Sequence, residues 1–426
     1  MNLESATSSP PVDSTYNWML IDMNSYFASV EQHLRPELRG RTIGVVPVES
    51  ENTCVIAASY DAKRCGVKVG TRASEARRLC PGITLVRARP NVYVRVHNEI
   101  LQSVDKCSPV HKVYSIDEWA IRLLGDQRRR EQAVALAQRI KRQLRHDFSP
   151  QLACSIGIAP TRLLAKIASN LKKQDGLTTL DVRDLPDELK HLALDDLCGI
   201  NRGMMARFHA HGVKDVRILW ALSRRQAVQV WGSVSGAAWW AGFHGYDEPE
   251  QATRRRSMSH ANVLEPRFRN DEGAYGIMVR LLCRLGARLR REGYYARHLR
   301  AHLRSVRGGD WCEKASLPCV QDTPTILAAF HALWLRRSPG GPPPLRVGVE
   351  VADLELAEIV PNLLFSEMEK PRRVSWTVDD INRRWGDSTI YFGTMHGFRH
   401  RMDDKIAFGR IPSELAMMPA ERLNAR

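Results

Sequence analysis

Two short apolar runs constrain this fold most: WMLID (18–22) and YSIDEWAI (114–121). Each carries carboxylates where a buried strand should carry none. Charged side chains are rarely buried unless they are paired or hold a metal. Runs this short and this rich in Ile, Leu and Trp are of strand length. Asp22 closes the first run. Asp117 and Glu118 interrupt the second, which reads as part of one strand over KVYSIDEWAIRLL (112–124). TIGVVPV (42–48), TCVIAAS (53–59) and ACSIGIAP (153–160) are further strand-like segments. Helical spacing fills the gaps: SYFASVEQHL, ASEARRLC (73–80), VYVRVHNEILQSVDK (92–106), the amphipathic run 128–148, and TRLLAKIASNLKKQ (161–174) ahead of Asp175-Gly176. This interleaving predicts a mixed helix-and-sheet domain with a central sheet.

Beyond it the pattern changes. Residues 181–245 read as short helices with Gly turns, and LCGINRGMMARFHAHGV (197–213) as helix, Gly-centred turn, helix. A linker follows at 246–256. Then come a strand (257–264), a helix (Asp271 to Arg291), two strands (295–305 and DWCEKASLP), a helix (323–337), the loop SPGGPPP and a strand (345–356). That order is a compact β-α-β-β-α-β unit.

The chain has 426 residues, enough for two or three cores. Lys and Arg number 63 against 47 acids, a formal charge of +16, which suits a polyanionic partner. Fourteen Arg against four acids lie between 254 and 307, a local +10. The nine Cys show no zinc spacing and read as free thiols of a reducing compartment. No apolar run approaches membrane-spanning length. The opening 1–15 reads as a disordered leader without signal-peptide character.

Two or three carboxylates from adjacent strands are what two-metal phosphoryl transfer needs, the ions lying about 3.5–4 Å apart. Side chains at 117 and 118 of a regular strand point to opposite faces. Asp117 is then expected to face the site more directly, with Glu118 reaching it only through a twist or bulge. On the pair alone, a solvated or salt-bridged strand edge stays open.

The surrounding residues add a family likeness. IDMNSYFASVE (21–31) and YSIDE (114–118) resemble the two catalytic motifs of the Y-family (translesion) DNA polymerases, the bacterial polymerase IV and polymerase V catalytic-subunit type. ASYDAKRCGVKVG (58–70), LCPG (79–82) and SIGIAPTRLLAKIASNLKKQDG (155–176) follow in the family's order, and the likeness runs from about 18 to 365. It implies an α+β right-hand polymerase: palm over 16–24 and 88–180, fingers over 25–87, a small helical thumb with a helix–hairpin–helix over 181–245, the linker 246–256, a βαββαβ little finger over 257–368, and a C-terminal extension over 369–426.

The resemblance also implies roles. Asp22, Asp117 and Glu118 would be catalytic and would hold two Mg²⁺ ions, with the Met23 carbonyl as a further ligand. Tyr26 and Phe27 would meet the incoming dNTP, Phe27 as the steric gate against a ribose 2′-hydroxyl. Tyr60, Lys173 and either Lys63 or Arg64 would contact the triphosphate. The family commonly has Arg at position 63, and Lys offers a point charge in place of a planar fork. Asn24 stands where many members have Asp. In the thumb turn Asn201 replaces the second Gly of Gly-hydrophobe-Gly, and it tolerates a positive φ. Gly199 and Asn201 would hold DNA phosphates, as would Arg254, Arg255 and Arg256 on the linker. VPNLLFSE (360–367) resembles a sliding-clamp peptide, with Leu364 and Phe365 as its anchors. The activity expected is template-directed, low-fidelity DNA synthesis past lesions without proofreading, by a monomer in a bacterial cytoplasm. Its partners would be primer-template DNA, a sliding clamp, and SOS or mutasome accessory proteins. The alternative is a catalytically silent homologue acting as a DNA- and clamp-binding adaptor, which the intact Asp22, Asp117 and Glu118 set argues against.

Overall fold

The computed structural model describes residues 15–51, 53–250, 254–360, 366–386 and 388–398. The chain divides between Glu250 and Gln251 into two compact units. The first unit runs through β1 (Trp18–Met23), α1 (Tyr26–Leu34), β2 (Ile43–Val46), β3 (Ala57–Ala58), α2 (Tyr60–Arg64), α3 (Ala73–Leu79), β4 (Thr84–Arg87), α4 (Pro90–Asp105), β5 (Lys112–Ser115), β6 (Glu118–Arg122), α5 (Arg130–Asp147), β7 (Cys154–Ala159), α6 (Arg162–Leu171) and β8 (Leu177–Thr179). Four short helices complete it: α7 (Arg202–Ala210), α8 (Val216–Trp220), α9 (Arg224–Trp231) and α10 (Ser235–Phe243).

Its main sheet has the order β5-β6-β1-β7-β8. The central strand β1 is apolar along its length because both faces are covered. Trp18, Leu20 and Ala120 pack with α6 and with Phe208, Trp231 and Phe243 of the short helices. Trp119 points to the other face, fully buried, its ring edge-on to His97 of α4 at 5.8 Å. That placement explains a large aromatic directly beside two acids. A smaller sheet, β3-β2-β4, carries its own core of Val46, Val55, Ala58 and Ala62 under α2.

The run 112–124 is not one strand. Ile116 and Asp117 form a two-residue turn, and β5 folds back antiparallel on β6 with Lys112 opposite Ala120. Ser115 holds the turn: its Oγ donates to Asp117 Oδ1 at 2.5 Å, and the Ile116 carbonyl accepts from His97 Nδ1 at 2.7 Å. No Gly or Asn marks this turn, because side chains rather than glycine flexibility close it.

The second unit has the sequence-read order: β9 (Ser257–Val263), α11 (Asp271–Arg291), β10 (Tyr294–Ser305), β11 (Trp311–Val320), α12 (Thr323–Leu335) and β12 (Pro344–Leu356). The four strands are antiparallel in the order β11-β10-β12-β9. Asn270 caps α11 by accepting from Gly273 N at 2.7 Å, and Asp322 caps α12 by accepting from Thr325 N at 2.8 Å. Capped helices with Leu282, Leu285 and Leu289 at three- and four-residue spacing bury one stripe against the sheet. A further helix, α13 (Ser366–Trp385), belongs to this unit. Asp379 on α13 takes both arms of the buried Arg290 guanidinium, at 2.6 and 2.8 Å. Met395 and Phe398 join the same core, so the start of the predicted C-terminal extension is part of this fold. All nine cysteines are free.

Candidate active site

Strand pairing assembles the acids. Asp22, the penultimate residue of β1, lies directly opposite Glu118, the first residue of β6. Residues paired across a ladder share a face, so Glu118, not Asp117, is the cross-strand neighbour of Asp22. Asp117 sits in the turn one residue before, stitched to β1 by its carbonyl, which accepts from Met23 N at 2.8 Å. The turn thus does what a twist or bulge would do: it brings the adjacent Asp117 and Glu118 to the end of the sheet where Asp22 lies. Met23 is buried at the end of β1.

Lysines answer these acids. Lys166 on α6 bridges Asp22 and Glu118, with Nζ 2.7 Å from Glu118 Oε2 and also in contact with Asp22 Oδ2. Lys173 Nζ donates to Asp22 Oδ1 at 2.7 Å. Burial opposes the charge on Lys166, but Asp22 and then Glu118 outweigh it and hold its pKa above the usual lysine value. Lys166 lies inside the LLAKIAS run and was not singled out from the sequence. Its signal was available: a lone charge on an apolar helix face needs a partner.

Lys173 does not sit on the helix. α6 ends at Leu171, two residues before Lys173, and the chain reverses through left-handed Gln174 (φ 70°) and Asp175 (φ 65°). A Cβ at Gly176 would fall 1.8 Å from the Lys172 carbonyl oxygen, so only glycine closes the loop. Asn24 clamps it, with Oδ1 accepting from Asp175 N at 2.7 Å and Nδ2 donating to Ser155 Oγ at 3.0 Å. The position where many family members carry Asp is here a buried amide used as both donor and acceptor.

Residues of α1 and α2 converge on the same place. Ser25 takes a left-handed conformation (φ 48°) at the start of α1, a cost that non-glycine residues bear mainly at functional sites. Lys63 Nζ donates to Ser25 Oγ at 2.7 Å and lies over the Tyr60 ring, 4.6 Å from its centroid. Burial first, then the Lys173 ammonium, lower the Lys63 pKa, while Asp22 acts in the opposite sense. Arg64 turns away to an exposed ion pair with Asp61. Phe27 is half-buried and stacks on Tyr93 at 4.5 Å. Tyr93 donates to the fully buried Glu31 at 2.8 Å, and Arg89 grips that carboxylate at 3.0 and 2.7 Å. The Tyr26 side chain, by contrast, is committed to the core, its hydroxyl on the Tyr93 carbonyl at 2.7 Å.

The acid set offers only hard oxygen donors, the choice of Mg²⁺ rather than zinc or copper. Among the described residues no three His, Cys, Asp or Glu side chains already cluster as a metal cage. The oxygens of Asp22 and Glu118 are engaged by lysines instead, and Asp117 Oδ1 by Ser115.

At Gly199 φ is +87°, and the left-handed turn rests there. Asn201 is extended (φ −105°) and caps α7 by accepting from Met204 N at 3.0 Å. The positive φ expected at Asn201 is therefore absent: Gly199 alone turns the chain, and the amide is used as a helix cap. In the second unit Arg254, Arg255 and Arg256 are exposed, and Arg255 pairs with Glu292. One face of the sheet carries exposed Arg300, Arg304, Lys314 and Arg346, which neighbour one another in register. On that face His302 lies against Gly348, where a Cβ would come within 2.2 Å of the imidazole. Leu364 and Phe365 lie outside the described residues.

Comparison with known proteins agrees across both units. Residues 21–170 match the impB/mucB/samB family and residues 255–361 that family's C-terminal domain. DNA polymerase IV of Moorella thermoacetica is 30% identical over 387 residues, 89% of this chain and 96% of that protein. DNA polymerase IV of Pelotomaculum thermopropionicum is 29% identical over 389 residues, 87% of this chain and 93% of that protein. A Y-family polymerase chimera of Dbh and Dpo4 shares the fold at a TM-score of 0.62 and 19% identity, over 80% of this chain and 99% of its own. The insertion ternary complex of Dbh DNA polymerase does so at 0.52, with the same identity and coverage. On its sequence relatives the chain belongs to the Y-family DNA polymerases of the DinB type, and its fold agrees.

Proposed function

We propose that this chain adds deoxynucleotides to a primer terminus opposite a template, including past lesions, by metal-assisted phosphoryl transfer at Asp22, Asp117 and Glu118. The observation that carries this is the pairing of Asp22 with Glu118 across the sheet, with Asp117 in the adjoining turn and Lys173 and Lys63 on the approach. Mg²⁺ held by these carboxylates and the Met23 carbonyl would polarise the α-phosphate and favour the deprotonated primer hydroxyl. The chain's own residues bind and orient. Lys173 and Lys63 leave Asp22 and Ser25 to take the triphosphate, and Tyr60 adds its hydroxyl. Lys63 rather than Arg64 serves, because Arg64 is held by Asp61. The Phe27 ring, backed by Tyr93, would serve as the steric gate against a ribose 2′-hydroxyl.

DNA meets two surfaces. The Gly199 turn and the α7 N-terminus offer backbone N–H groups to phosphates. The Arg300, Arg304, Lys314 and Arg346 face suits sequence-tolerant backbone contact, in addition to Arg254, Arg255 and Arg256. A sliding clamp at Leu364 and Phe365, other accessory partners, a monomeric state and a role in damage tolerance in a bacterial cytoplasm belong to the same proposal. No helix among the described residues is long and apolar enough to cross a membrane. Purified chain with primed template, dNTPs and Mg²⁺ should give short, distributive extension, on abasic as well as intact templates. Absence of extension, with and without a clamp, would sink the reading.

A further inference from the structure

Lys166 has no part in the proposed transfer, yet it is the best-held cation at the site. α6 is seated closely on β7: a Cβ at Gly157 would fall 2.0 Å from the Ala165 carbonyl oxygen. Leu164, Ala165, Ile167 and Ala168 are buried around it. The backbone that carries Lys166 is therefore fixed against β7, the sheet neighbour of the strand that bears Asp22. Its side chain is 15% exposed, against 31% for Lys173, which stands on a loop. The two lysines differ in what can replace their contacts. A polyphosphate can draw the loop-borne Lys173 away from Asp22. Lys166 faces Asp22 and Glu118, with the Cys198 thiol nearby and Lys173 on the far oxygen of Asp22.

We propose that Lys166 is a positioning residue and resident counter-cation: it holds Asp22 and Glu118 side by side and competes with a divalent ion for the same two oxygens. A metal on Asp22 Oδ2 and Glu118 Oε2 needs the lone pairs that the ammonium now occupies, and like charges in contact repel. The free chain is then a poor divalent binder. Metal capture is tied to arrival of the triphosphate, which adds negative charge and removes Lys173. This role rests on the reading of Asp22 and Glu118 as metal ligands.

The test is Mn²⁺ binding to the full chain without DNA or nucleotide, followed by electron paramagnetic resonance. Lys166→Met, neutral and of similar length, should bind Mn²⁺ at least tenfold more tightly than wild type, and Lys166→Arg should match wild type. A salt bridge that served only stability would lower the melting temperature of Lys166→Met without tightening Mn²⁺. A folded Lys166→Met with unchanged or weaker Mn²⁺ affinity overturns the proposal. Should that variant not fold, the wild-type chain gives the answer: Mg²⁺ should raise the acetylation rate of Lys166 several-fold relative to exposed Lys190, and no change overturns the proposal. Asp22→Asn separates the two ideas. If it leaves Mn²⁺ binding intact, the metal site lies elsewhere and both readings fall. If it abolishes binding while Lys166→Met binds no tighter, only the role of Lys166 is lost.

Discussion

Replacing Asn24 with Ala tests how Lys173, the proposed triphosphate contact, is held. Asn24 is 4% exposed and makes two side-chain hydrogen bonds: from Asp175 N at 2.7 Å and to Ser155 Oγ at 3.0 Å. Ser155 Oγ in turn donates to the Lys172 carbonyl at 3.2 Å and accepts from Gly176 N at 3.4 Å. The amide is thus the centre of a network whose other members lie on both sides of Lys173. Alanine strands the Asp175 N–H, costing about 1–3 kcal/mol, and removes a second bond worth about 1 kcal/mol, for a total of roughly 2–4 kcal/mol. Because both bonds end on the 172–176 loop or its support, much of the loss should appear as freedom of Lys173. Single-nucleotide insertion should show KM for dNTP raised roughly tenfold, equivalent to about 1.4 kcal/mol, with a smaller fall in kcat. Asn24→Asp keeps the acceptor and should lie between alanine and wild type. A folded Asn24→Ala chain whose KM stays within about twofold of wild type would refute the reasoning.

Other perturbations follow from the same structure. Phe27→Ala should increase ribonucleotide insertion relative to deoxynucleotide, measured with paired rNTP and dNTP assays; an unchanged ratio would place the gate elsewhere. Lys63→Ala should raise KM for dNTP well beyond Arg64→Ala, whose side chain is engaged by Asp61; equal effects would contradict the assignment. Asp379→Ala leaves the buried Arg290 unpaired and should cost about 3–5 kcal/mol, read as loss of hydrogen-exchange protection along α13 and α12. Burial lowers the His97 pKa below its ordinary 6.5, against the Ile116 carbonyl contact. Its unfolded form takes up a proton first, so its stability contribution is present above 6.5 and is lost as pH falls through the lower folded-state value. The melting temperature should therefore drop as pH falls below about 6.5, and less so in His97→Gln.

Strong periodicity made the second unit legible. Every element from β9 to β12 appears where alternation or helical spacing placed it, because each buries one clean face. The acids were legible as a set, but their division was not. The 112–124 run reads as one strand since its turn is closed by Ser115 and His97 across 19 residues, and no local turn residue announces it. Reading parity along an unbroken strand then favoured Asp117, while the pairing favours Glu118. Asn201 misled for a similar reason: an Asn in place of Gly reads as left-handed backbone, yet its side chain caps α7. The docking of α13 depends on Arg290 meeting Asp379 across 89 residues, a long-range contact with no signature in either segment. Lys166 is the opposite case, a lone cation on an apolar helix face, with Asp22 and Glu118 legible as its partners.

Asp22, Asp117 and Glu118 are proposed to act as one catalytic set. Single-turnover primer extension with Mg²⁺, run beside fluorescence anisotropy on the same primed template, tests it most directly. Asp117→Ala should abolish extension while binding DNA within about threefold of wild type, since it removes a proposed metal ligand and leaves the Arg300, Arg304 and Arg346 face untouched. Extension by Asp117→Ala at the wild-type rate would contradict the account.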